Sequence, residues 1–296
     1  MPKKGFEEIR ERMLKSAKQG ISEAYKSEEY ALMQAVNAQI ETSRSYNLAY
    51  ERLSEWYGIY FPEVRMSNPT TLARLVIALN HKGIDDRAIE EAIKDSAKAE
   101  EIYKKAQSTI GRKMDMGESR AIVGFANLAI SLGASLEELD LYIKEAATRL
   151  MPNTTYLTDH MIAAELLSKA GSLERLATMP AGTVQLLGAE KALFKHIKFG
   201  SRPPKYGILF KLPDITNAQR EIRGRIARVY ATKICIALKA DYFSKNFIAE
   251  KLKKDLDESI KRIKEKPITP KKEQPRQDFK RRNFGKQEGF KGRRRR

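Results

Sequence analysis

The chain has 296 residues, 42% of them hydrophobic, with a single cysteine and a formal net charge of +18. That is enough apolar material for one large domain or two ordinary ones, and it excludes a wholly disordered chain. One thiol excludes an internal disulfide and fits a reducing, intracellular setting. The cationic surplus points to nucleic acid or an anionic membrane surface. No apolar run approaches the ~20 residues of a spanning helix, and the N-terminal MPKKGFEEIRERMLK lacks the apolar core of a secretory signal.

Ala, Leu, Glu and Lys dominate and β-branched alternation is scarce, so the expected class is all-α. Residues 22–60 predict one or two helices that end at Phe61-Pro62. Pro69 opens another helix after Ser67 and Asn68. Residues 84–150 carry the clearest periodicity. Ile89, Ala92, Ser96, Ala99, Tyr103, Ala106 and Ile110 step by three and four; after a turn near Gly111–Gly117 the stepping resumes at Ile122, Phe125, Ala129, Leu132, Leu136, Leu139, Ile143, Ala146 and Leu150. Two such heptad rows joined by a short connection predict an antiparallel coiled-coil hairpin. Gly133 followed by Ser135-Leu136-Glu137-Glu138 offers a local helix start, but the heptad phase runs through it, so one continuous helix of roughly 30 residues is expected. Such a stripe is, first of all, core packing. Pro152 ends the hairpin, and a second helical module spans about 153–247. From Lys264 on, 14 Lys/Arg stand against 4 Asp/Glu, with prolines, glycines and few aliphatics. This tail is expected to be disordered, and either to add non-specific RNA affinity through its cations and through Phe279, Phe284 and Phe290 or to serve only as a solubilising tail.

Catalytic signals are missing from the pattern. Gly111-Arg112-Lys113 lacks the strand and spacing of a phosphate loop, and no dinucleotide fingerprint occurs. His81, His160 and His196 are far apart and form no pair with zinc spacing. Cys235, in KICIA, reads as an inert core thiol. Acid pairs such as Asp85/Asp86 and Glu100/Glu101 read as solvated helix faces. The expectation is a non-enzyme with no catalytic residue, metal or cofactor.

Residues 188–206 read GAEKALFKHIKFGSRPPKY. Lys191, Lys195 and Lys198 recur at i, i+4 and i+7 and share a helix face, while Leu193, Phe194 and Ile197 are placed to face inward. A lysine row alone also suits an ordinary solvated face. Its continuation sets it apart: GSRPPKYG is a turn stiffened by two prolines, with cationic and aromatic tips. A basic helix face beside a rigid basic loop suits the backbone of RNA or DNA, with Tyr206 or His196 stacking or hydrogen bonding.

Residues 152–214 resemble the Nop domain, the RNA- and protein-binding module of box C/D ribonucleoprotein core proteins and of a related spliceosomal factor. The resemblance lies in AGSLERLA (170–177), VQLLGAEKALF (184–194) and PPKYGILF (203–210). RGRIARVYATKICIALKAD (223–241) resembles the helix that follows in that family, and YNLAYERLSEWYGIYFPEV (46–64) looks like its coiled-coil module. The likeness covers roughly residues 22–250, and GAEKALF is closer to the box C/D members than to the spliceosomal one. It implies an N-terminal segment (1–21), a coiled-coil module (22–151), a compact helical Nop domain (152–250), and a helix end with basic tail (251–296). It further implies a scaffold that clamps a kink-turn guide RNA together with the ribosomal-type protein already on it, in support of guided 2′-O-methylation, with two copies joined through the coiled coil; the alternatives are a Nop-domain factor of another ribonucleoprotein unrelated to methylation and a coiled-coil assembly protein with only loose RNA binding. The implied RNA contacts are Lys191, Lys195, His196, Lys198, Arg202, Pro204, Lys205 and Tyr206. Gln185, Glu190 and Phe194 are assigned to the partner protein, Gln185 and Glu190 also as loop-ordering residues and Phe194 also as a core anchor. The family's fibrillarin-binding α/β domain would precede the coiled coil, but only about 20 residues do, so recruitment of that methyltransferase does not follow. Lys/Arg-rich composition without long acidic-basic repeats points to an archaeal, cytoplasmic member rather than a nucleolar one.

Overall fold

The structure, a computed structural model, describes residues 3–80 and 86–265. Every regular element among them is helical: α1 (Lys3–Tyr25), α2 (Glu28–Tyr57), α3 (Pro69–Asn80), α4 (Asp86–Ile93), α5 (Ser96–Gln107), α6 (Met116–Leu150), α7 (Pro152–Leu157), α8 (His160–Ala170), α9 (Leu173–Thr178), α10 (Ala181–Leu186), α11 (Glu190–Phe199), α12 (Pro213–Thr216), α13 (Arg223–Lys239) and α14 (Ala249–Glu265), with a 3₁₀ turn at Ile208–Lys211 and a π turn at Ala240–Ser244. The chain divides into two compact units, Met1–Leu173 and Glu174–Arg296. The basic tail beyond Glu265, like His81, lies outside the described residues.

Local signals set the helix ends. Ser27 caps α2 by accepting from the Glu29 N–H, and Asn68 accepts from the Thr71 N–H at 2.9 Å ahead of Pro69. Asp115 and Glu118 close a reciprocal capping box at the start of α6. That helix runs unbroken through Gly133 for 35 residues. Ile122, Ala129, Ile143 and Ala146 of the expected heptad row are buried, and Phe125, Leu132, Leu136, Leu139 and Leu150 half-buried.

The hairpin differs from the expected one. Residues 84–110 do not form one helix: Lys94 takes a left-handed conformation (φ 57°), and Asp95 recaps the chain by accepting from the Lys98 N–H. Ser96 and Ile110 of that row are exposed. The main partner of α6 is α2, supported by α3, while α4 packs on both α3 and α5. Gly133 shows why α2 comes so close, since a Cβ there would lie 2.9 Å from the Thr70 hydroxyl and 3.3 Å from the Tyr46 ring. Leu53, Leu72, Leu75, Ile89, Ile122, Ala126 and Ala129 fill the core between these helices. By length and composition α6 is also apolar enough to cross a membrane; its uncharged run, residues 121–136, lies between Arg120 and Glu137. α7 and α8, expected in the second module, belong to the first unit, where α8 packs on α2 and α6.

In the second unit α13 is the central strut. It packs against α10, α12, α14 and the 3₁₀ turn, burying Ile226, Ala227, Tyr230, Ala231, Ile234 and Leu238. Burial raises the Cys235 thiol pKa, and its Sγ faces the Met179 carbonyl at 3.7 Å, as expected of a core thiol.

Candidate nucleic-acid and partner interface

Two buried stitches hold the loop that follows α11. The Gly207 N–H donates to the Gln185 carbonyl (3.0 Å) and the Ile208 N–H to the Leu187 carbonyl (2.8 Å). A Cβ on Gly207 would sit 1.9 Å from the Leu187 oxygen, so only glycine fits there. Gln185, 9% exposed, donates its amide to the Lys205 carbonyl at 2.6 Å. It therefore ties the loop from beneath, the loop-ordering alternative read for it from the sequence. Gly188 (φ 88°) turns the chain into α11, and its N–H donates to the Glu190 carboxylate at 2.6 Å. Gly200 (φ 65°) ends the helix in a left-handed cap. The His196 Nδ1–H donates to the Ser201 carbonyl, so this half-buried imidazole closes the loop onto its helix.

On this pedestal α11 stands proud, with none of its residues buried. Phe194 is 62% exposed, Ile197 73% and Phe199 67%. The expectation that Phe194 and Ile197 face inward is thus corrected: the half-buried side of the helix carries Leu193 and His196. The apolar triplet looks the same in sequence whether it meets the chain's own core or another molecule. Beside it Lys191, Lys195 and Lys198 are exposed, and the Lys198 ammonium lies 5.8 Å from the Phe194 ring centre and 5.4 Å from that of Phe199.

The loop joins this surface to α13. Tyr206 stacks on Phe210 (4.7 Å, 9°), and the Arg223 guanidinium covers Phe210 at 5.6 Å. Arg223 is itself held by the Ala218 carbonyl (2.9 Å) and the Thr216 carbonyl (2.8 Å). The Lys205 side chain lies where a Cβ on Gly224 would meet it at 3.5 Å. Arg202 and Lys205 are exposed and Pro204 is half-buried.

From there α13 presents a row that sequence reasoning missed. Arg225, Arg228, Thr232, Ile236 and Lys239 are all exposed and step by three or four along one face. Their spacing was legible, but only the structure tells that Ile226, Tyr230 and Ile234 are the buried side. Among the described residues, none of Lys191, Lys195, Lys198, Arg202, Lys205, Arg225, Arg228 and Lys239 has a carboxylate within ion-pair distance, whereas cations elsewhere do: Lys104 with Glu100 (2.6 Å), Lys253 with Asp257 (3.2 Å), Arg262 with Glu258 (3.0 Å). A set of unpaired cations around exposed aromatics is suited to a polyanion. No group of three or more His, Cys, Asp or Glu among the described residues is placed to hold a metal.

Comparison with known proteins defines the class. The family model described as "Nop: snoRNA binding domain, fibrillarin" matches residues 38–262. The chain is 35% identical over 241 residues to a NOP5 family protein of Methanocaldococcus jannaschii, covering 81% of this chain and 58% of that one. It is 33% identical over 238 residues to nucleolar protein 56 of Bos taurus, covering 77% and 40%, and 33% over 222 residues to that of Caenorhabditis elegans, covering 72% and 46%. A solved fibrillarin/Nop5p complex aligns with a TM-score of 0.50 at 22% identity, over 89% of this chain and 80% of that one, a likeness of fold. The chain belongs to the Nop family. It spans about half the length of the curated relatives it matches.

Proposed function

We propose that this chain is a non-catalytic, RNA-binding scaffold of a box C/D-type ribonucleoprotein, which clamps a kink-turn RNA together with the ribosomal-type protein already bound to it. One observation carries the reading: α11 contributes nothing to the core, yet sets an apolar knuckle (Phe194, Ile197) beside a row of unpaired lysines. The knuckle is the protein-facing half. Lys191, Lys195, Lys198, Arg202 and Lys205 are the phosphate-facing half, and Arg225 and Arg228 extend it along α13. Pro204, Tyr206 and His196 hold the loop in shape.

Reversing Lys195 and Arg202 together to Glu removes two phosphate contacts and adds repulsion. Affinity for the protein-loaded kink-turn RNA should fall by a few kcal/mol, roughly a hundredfold or more, with the circular dichroism spectrum unchanged. Unchanged anisotropy titrations at moderate salt would remove these residues from the site. A coiled-coil assembly protein with loose RNA binding would instead bind plain duplex and loaded kink-turn RNA alike, and lose both steeply with salt.

Self-association belongs to the same proposal. Ala121, Leu128, Ser135 and Tyr142 form an exposed heptad row on α6, distinct from the row that packs on α2. Leu128→Asp with Tyr142→Asp should halve the mass seen by light scattering. Ile143 is unsuited to that test, being fully buried within the chain. Fibrillarin, which the solved complex pairs with Nop5p, is proposed as a partner of the particle, with no docking residues assigned to it on this chain.

A further inference from the structure

We propose that Phe243, in the turn that ends α13, is a stacking step for an unpaired nucleotide of the RNA lying along that helix; this rests on the RNA-binding reading above. The exposed row on α13 does not end at a simple cap. After Lys239 the helix widens into the π turn Ala240–Ser244, which Lys245 closes in a left-handed conformation (φ 58°), donating its N–H to the Ala240 carbonyl at 2.7 Å. Ala240 and Asp241 are buried and pin the turn. Phe243 projects from it at 62% exposure. Its ring is not loose: the half-buried Tyr242 meets it nearly edge-on, with centres 4.8 Å apart and planes at 82°. A held aromatic ring with two side-chain torsions loses little freedom when something stacks on it.

The flanking charges select the occupant. Lys239 and Lys245 flank Phe243 in the sequence, both exposed and neither with a carboxylate partner among the described residues, while the one carboxylate of the turn, Asp241, is buried. Lysine is depleted from protein–protein contact surfaces. An aromatic face between cations, continuing a cationic track, is the arrangement that holds a base and its neighbouring phosphates. Phe243 is therefore assigned to a base rather than to an apolar peptide anchor.

The full-length chain would be titrated with three RNAs: a blunt duplex, the same duplex with a three-nucleotide overhang containing 2-aminopurine, and the overhang strand alone. The overhang should tighten binding about tenfold and the fluorescent base should be quenched. Phe243→Ala should abolish both effects and leave the blunt duplex unchanged; Phe243→Trp should restore them. The exposed ring makes no large contribution to the core, and circular dichroism checks that the fold is kept. An overhang that brings neither tighter binding nor quenching in the wild-type chain overturns the proposal. So does a Phe243→Ala chain that keeps both, or one that weakens blunt and overhang RNA equally. Failure of the wild-type chain to bind the blunt duplex would instead strike at the reading of α11 and α13; quenching of the single strand that Phe243→Ala removes would still uphold Phe243, and silence from all three RNAs would sink both.

Discussion

Helices α11 and α14 are both lysine-rich segments of the second unit with apolar residues at helical spacing, and they use that material in opposite ways. In α14, Ala249, Leu252, Leu256 and Ile260 are buried, Lys253 and Arg262 reach carboxylates one turn away, and Asp255 receives the Lys233 ammonium of α13 at 2.9 Å. α11 buries nothing, and its three lysines have no carboxylate partner among the described residues. An amphipathic pattern thus fixes that a face will be covered, not by what. The i,i+4 acids of α14 mark a face that is meant to stay in water. Their absence from α11 marks a face whose counter-charge lies on another molecule.

Core truncation should separate the two helices most widely. Leu256→Ala removes a fully buried side chain and should lower stability by about 2–5 kcal/mol in urea denaturation. The matching change in α11, Phe194→Ala, should stay within ~0.5 kcal/mol in the same assay. A larger loss there would show that α11 packs in solution and would erase the contrast. Binding should reverse the ranking. Phe194→Ala should weaken association with the protein-loaded RNA by about 2 kcal/mol, as expected for an aromatic anchor. Leu256→Ala, assayed while still folded, should not.

What the sequence made legible follows the same line. Helical class, the end of α2 before Phe61-Pro62, the Pro69 start and the unbroken run of α6 are all written in spacing and capping residues, which act within a turn or two. Long-range pairing is not. The row Ile89 to Ile110 has the right period, but Lys94 and Asp95 break the helix, and nothing in one helix's periodicity says that its neighbour is α2. Gly133 was the usable signal: it suggests a helix start, yet it is a point of close approach to Tyr46 and Thr70. In the site, the basic and proline-rich loop announced itself. The choice between the two roles read for Gln185 (partner contact or loop ordering) did not, nor did the tie His196 makes, because a polar side chain that ties a loop from below has the same spelling as one that meets a ligand. The α13 row stayed hidden because its cations alternate with core residues in a helix that reads first as a strut.

That row can be weighed against α11 through salt. Arg225→Gln with Arg228→Gln should reduce the slope of log affinity against log salt by roughly 1.5, given about 0.7–0.9 per phosphate neutralised, and should affect plain duplex and kink-turn complex equally. A selective loss of the kink-turn complex would mean that α13 discriminates, and that the division between a reading surface on α11 and a backbone track on α13 is wrong.

The smallest effect tests the pairing itself. The Lys233 ammonium, by hydrogen bond and charge, holds the Asp255 carboxyl below its ordinary range. A carboxyl whose folded pKa is depressed contributes stability that is present above its unfolded value, about 3.9, and is lost as pH falls through the folded value. Asp255→Asn should therefore melt slightly below the wild-type chain at pH 6–7, and the two melting curves should converge at pH values below about 3.9. The gap should be small, because the carboxylate is half exposed and screened by solvent. Lys191→Gln removes an α11 cation with no carboxylate beside it, so its melting temperature should run parallel to wild type across the same range, a little above or below it. Convergence of the α11 variant at acid pH would reveal a carboxylate partner for Lys191 in solution. The lysines of α11 would then be a solvated face like that of α14, and their availability to an outside anion would have to be given up.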